Sequence, residues 1–204
     1  MDPTLIKILQ ESSNNPTYQT LADYLISRRA YPELRFQNMP GKYGTFISPG
    51  LFSNNSIPDR GILSLNEGSK QWDPKAMAPT MTHELTHAAE KQMIKQYYEI
   101  KNKTNKTDLE KQFINNFQKI IGSSESEIYK WMKKVVPGFV KDEGDYRATG
   151  REGLAFGVGN SAFEKTESDR PAPAHVDPTI YTVFNLLLDQ AQRVQNEQAQ
   201  SQGR

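Results

Sequence analysis

Apolar residues recur at helical spacing near both ends of the chain and through its middle, and short apolar runs between them are broken by Pro, Gly, Asn and Ser. Asp2-Pro3, Asn15-Pro16, Asp73-Pro74 and Asp177-Pro178 each place a capping oxygen before a residue whose φ is already helical, so each marks a helix start. The first predicts a short helix carrying Leu5, Ile6, Ile8 and Leu9, and the second a helix with Leu21, Leu25 and Ile26 on one face. Residues 43–48 and 61–66 are the two strand candidates of the punctuated stretch that follows. Helices are then predicted over 80–100, 107–121 and 124–135, with capping-box spacing at Thr107/Glu110 and Ser124/Glu127 and a stop at Pro137-Gly138. A glycine-containing loop spans 141–168, and a last helix over 180–195 has Val183, Phe184, Leu187 and Leu188 on its apolar face. The Gln-rich tail, residues 190–204, reads as a frayed end or a partner-binding segment. The fold class is therefore α+β, mainly helical with a small sheet.

Length supports one domain with a modest core: a helical extension over 1–30, the main body over 31–170, and the C-terminal helix and polar tail over 171–204. Lys and Arg total 25 against 24 acidic residues, so the chain has no basic field to attract nucleic acid or an anionic membrane. The absence of cysteine removes disulfides, thiolate zinc fingers and cysteine nucleophiles, which leaves His, Asp and Glu as the only metal ligands. Neither an export signal nor a long apolar span is recognisable, and the expected setting is the cytoplasm or a virion.

Chemistry concentrates in Thr80-Met81-Thr82-His83-Glu84-Leu85-Thr86-His87-Ala88-Ala89-Glu90, which holds two of the three histidines. Imidazoles at i and i+4 stand one turn apart on the same helix face and can converge on a single zinc ion. Glu84, between them, is placed to act as general base toward water whose pKa the metal has lowered to about 7. Glu90, a turn beyond His87, is expected to orient a ligand or pair with Lys91 or Lys95.

With its flanks included, this stretch resembles the zincin metallopeptidases. Their extended pattern wants Thr or Val three residues before the first His, uncharged central positions and apolar residues after the second His, and Thr80, Leu85, Thr86, Ala88 and Ala89 comply. The resemblance implies a minimal zincin-like domain with its small sheet packed on the metal-bearing helix, and a zinc-dependent hydrolase acting on a peptide or protein. Metzincins take a third His six residues after the second, where this chain has Met93, so the gluzincin pattern is the nearer one. By that pattern Glu152, in Glu152-Gly153-Leu154-Ala155, is the third metal ligand, with Asp142, Glu143, Asp145 and His175 as alternatives. The resemblance also suggests that residues 62–66 form an edge strand that pairs with extended substrate, an interior place in the sheet being the competing reading.

Peptide hydrolysis needs a hydrogen-bond donor for the developing oxyanion. His175, in the restricted segment Pro171-Ala172-Pro173-Ala174-His175, and Tyr146 are the candidates. A second reading is a zincin-derived structural or assembly protein, such as a phage-particle component, in which zinc locks the fold and the terminal helices contact neighbouring subunits.

Overall fold

The helix-start signals act as capping chemistry requires. In the computed structural model, which describes residues 2–48, 59–68, 73–122, 130, 155, 158 and 178–202, Asp2 Oδ1 accepts the Thr4 amide at 2.8 Å and Asn15 Oδ1 accepts the Thr17 amide at 2.9 Å. These caps open α1 (Pro3–Ser13) and α2 (Pro16–Ser27). Three strands follow, β1 (Glu33–Gln37), β2 (Gly44–Ile47) and β3 (Ile62–Asn66), and then α3 (Pro74–Lys101), α4 (Asp108–Phe117), a π-helical turn (Gln118–Gly122) and α5 (Pro178–Gln202). The mainly helical α+β class expected from the sequence is the class observed.

The chain divides into two compact units, Met1–Lys91 with Val158–Ala172, and Gln92–Gly157 with Pro173–Arg204. In the first, the sheet has the order β1-β3-β2, with β3 parallel to β1 and antiparallel to β2. Residues 62–66 are thus an interior strand, which corrects the expectation that they offer an edge to substrate. Both flanks of β3 are hydrogen-bonded, and Ile62, Leu63, Ser64 and Leu65 are buried as a strand covered on both faces must be. Among the described residues β1 and β2 are the outer strands, one on each side of β3. Strand β1 escaped sequence reading because Glu33, Arg35 and Gln37 alternate with only two apolar residues, Leu34 and Phe36.

Register shows which face of the sheet meets α3. Gly44 is opposite Leu65 and Phe46 opposite Leu63, while Leu34 and Phe36 lie across from the same two leucines, so all six share one face. A Cβ on Gly44 would run into Thr80 and Glu84 of α3, so this apolar face is the one turned to the helix. From α1, Ser12 Oγ reaches Met81 Sδ at 3.8 Å, while Leu5 and Ile8 are fully buried and Ile6 is left exposed. In α2, Leu21 and Leu25 are buried and Ile26 is exposed.

Helix α3 begins at Pro74, the start that Asp73-Pro74 marks, with Asp73 Oδ1 accepting the Lys75 amide at 3.0 Å, and it runs unbroken into the segment expected as helix from Thr80. Pro79 lies inside it. An internal proline costs about 3 kcal/mol, and burial of Met77, Ala78 and Met81 around it offsets that cost.

In the second unit the ring of Tyr97 stacks on Phe117 with centroids 4.8 Å apart, and Gln118 Nε2 donates to the Tyr97 hydroxyl at 2.8 Å. The predicted Thr107 capping box is present. Its Glu110 carboxylate, 2 % exposed, also receives Lys103 Nζ and Gln198 Nε2. Helix α5 buries Phe184, Leu187, Leu188, Ala191 and Val194 and continues to Gln202. The Gln-rich segment is therefore helix held on its own chain rather than a frayed tail. Gln190 Oε1 accepts from Asn116, Glu197 accepts from Thr107, and Gln198 donates to Glu110, so three polar side chains of the segment bond to α4 and its cap. Among the described residues no helix is long and apolar enough to cross a membrane.

Candidate metal centre

The stretch of α3 from residue 77 to residue 90 is buried almost all round. Only Pro79, His83 and His87 escape full burial, and these fall at intervals of one turn along a single stripe. Both imidazoles therefore lie on the one line along which this part of the helix is open. The buried threonines are accommodated by local bonding, Thr86 Oγ1 donating to the Thr82 carbonyl at 2.8 Å. Leu85, Ala88 and Ala89 fill the packed sides.

Along the open stripe His83 Nε2 and His87 Nε2 face each other at 3.2 Å, with ring planes at 82° and centroids 4.9 Å apart. Without a cation, one ring would have to donate a proton to the other. Two imidazole nitrogens bound to one tetrahedral zinc at about 2.0–2.1 Å stand roughly 3.3–3.4 Å apart. The observed separation is close to that value, so the histidine pair fits a shared cation without rearrangement.

No protein-family model, curated protein or solved structure matches this chain. The chemistry of the site therefore rests on its own geometry.

Two carboxylates accompany the pair. Glu84 is 7 % exposed and packs beside Gly44 of the edge strand β2. Glu90 is 1 % exposed, with Oε2 3.9 Å from His87 Nδ1. That distance exceeds a hydrogen bond, so the pair is a close approach of a carboxylate to the ring. The Glu90 oxygen lies on the side of the His87 ring turned away from His83.

His83, His87, Glu84 and Glu90 are brought together on one helix. Among the described residues no cluster of three or more metal-ligating side chains forms. The third-ligand candidates Glu152, Asp142, Glu143, Asp145 and His175, and the oxyanion candidates His175 and Tyr146, all lie outside the described residues. Sequence reasoning missed β2 as the strand beside the base. The run around residues 43–48 had been recognised as a strand, but its place at the edge depends on the position of β1, which carries little sequence signal.

Proposed function

We propose that this protein is a zinc-dependent peptidase of zincin type, with His83 and His87 as metal ligands, Glu152 as the third ligand and Glu84 as general base. The observation that carries the reading is the 3.2 Å convergence of the two Nε2 atoms along the one open stripe of a buried helix. Two neutral histidines used only for packing have no need of that alignment, and such a helix more cheaply fills those positions with apolar residues.

Zinc in this position supplies Lewis acidity, lowering the pKa of water to about 7 and polarising a carbonyl. The chain's own residues do the rest. Glu84 accepts a proton from the attacking water and returns it to the leaving amine. Its burial beside β2 shields the carboxylate from bulk solvent and keeps it close to the strand. Glu90, its Oε2 3.9 Å from His87 Nδ1, is the carboxylate that would steady that ring with Nε2 toward the metal. Strand β2, an outer strand of the sheet among the described residues, is where an extended peptide would add main-chain hydrogen bonds, which makes the expected substrate an unfolded or extended segment read through its main chain. His175 and Tyr146 remain the proposed donors to the oxyanion.

Glu84→Gln tests the reading. It should lower cleavage of an unfolded test protein by roughly 10²- to 10⁴-fold while bound zinc stays at wild-type level. A variant that cleaves as fast as the wild type removes the proposed base. The alternative is an assembly protein held together by zinc, in which the terminal helices contact neighbouring subunits; in α5 three polar side chains, Gln190, Glu197 and Gln198, bond within the chain.

A further inference from the structure

Gly44 is the first residue of β2. Glycine loses more backbone freedom on folding than any other residue, so its use where a side chain could stand needs a reason. Gly41 and Gly61 have one in their backbones, at φ 75° and 82°. The backbone of Gly44 is not in that left-handed region, so any residue could adopt its conformation.

The reason lies in the space beside it. A Cβ at position 44 would stand 2.8 Å from Thr80 Cγ2, 3.1 Å from Glu84 Cγ and 3.2 Å from Glu84 Oε1. The first is closer than carbon atoms tolerate, and the other two would press on the Glu84 side chain, one on its methylene and one on a carboxylate oxygen. Thr80 and Glu84 lie one turn apart on α3, so the bare backbone of Gly44 seats against both. Position 44 is also on β2, an outer strand of the sheet among the described residues.

We propose that Gly44 is a positioning residue for Glu84: the missing side chain lets the carboxylate lie against the edge strand, and any larger residue drives it out of place. This rests on the peptidase reading for its consequence in catalysis, while the placement itself can be measured without activity. The two contacts separate packing from positioning. Thr80→Ser removes the Cγ2 that collides first and leaves both Glu84 contacts intact.

The experiment compares wild type, Gly44→Ala, Thr80→Ser and the double variant as zinc-loaded full-length protein, with circular dichroism to confirm folding. Gly44→Ala should lose thermal stability and retain zinc, with kcat down roughly 10- to 100-fold and KM changed far less. Adding Thr80→Ser should restore most of the Tm but not kcat. The ¹³C carboxylate resonance of Glu84, assigned by its loss in Glu84→Gln, should be displaced at fixed pH in Gly44→Ala and the double variant alike. If kcat returns together with Tm in the double variant, or the Glu84 resonance stays where it is in wild type, Gly44 is a packing residue only and the proposal is overturned. Should the wild type prove to have no peptidase activity, the proposed function falls, and the resonance alone still decides whether Gly44 places the carboxylate.

Discussion

Glu90 Oε2 lies 3.9 Å from His87 Nδ1, so a carboxylate that is 1 % exposed backs the imidazole whose other nitrogen faces His83. Loss of such a partner to a metal-bound histidine typically weakens metal binding 10- to 100-fold. Glu90→Gln should therefore raise the zinc Kd by about that factor, measured by chelator competition, with little change in helix content. Unchanged affinity would mean that Glu90 serves packing alone.

His83→Ala and His87→Ala should each abolish stoichiometric zinc, read by elemental analysis after dialysis. A zinc ion held only by the folded state would add roughly 2.7 kcal/mol when free metal is at about 100 times its Kd, and chelator should lower the wild-type Tm correspondingly. Glu152→Ala is the decisive partner experiment. Retention of zinc in that variant would move the third ligand to Asp142, Glu143, Asp145 or His175.

Burial alone pushes the Glu110 carboxyl upward, but hydrogen bonds from Lys103, Gln198 and the Thr107 amide, with the charge of Lys103, outweigh it and hold the group below its ordinary range. A carboxyl depressed by folding adds stability above its unfolded pKa of about 4.3 and loses it as pH falls through the lower folded value. Glu110→Gln should cost roughly 1.5–3 kcal/mol at pH 7, and the gap from wild type should shrink once the pH drops below the ordinary glutamate range. Denaturant melts at neutral and acid pH check this. A gap that does not depend on pH would assign the cost to packing.

At the other end of the scale, the Tyr18 and Tyr31 hydroxyls meet at 2.7 Å, and burial raises both phenols above their ordinary value. The hydrogen bond from Tyr31 pulls Tyr18 partly back, whereas Tyr18 pushes Tyr31 further up. Folded, both stay protonated where exposed tyrosines ionise. Their contribution is complete below the unfolded pKa of about 10 and is lost as pH rises above it. Tyr31→Phe should flatten the alkaline loss of stability, followed by phenolate absorbance and Tm together. The same alkaline slope in the variant would show that the pair is not its source.

The sequence by itself determined the local events. Asp2, Asn15 and Asp73 cap helices because their side-chain oxygens reach amides two residues on, and Thr107 with Glu110 closes a capping box because the partners lie within one turn. His83 and His87 share a face for the same reason, since i and i+4 spacing is a property of any helix. What lies far apart in sequence was decided only by tertiary structure. Pro79 stays within α3 because core contacts outweigh a local penalty, and β3 is interior because the weakly marked β1 pairs with its far side. The polar C-terminal segment is helix because α4 supplies partners that no local pattern reveals. Gly44 meets Glu84 for the same kind of reason: a strand and a helix forty residues apart are pressed together by the apolar face they share, and that pressure has no signature in either segment alone.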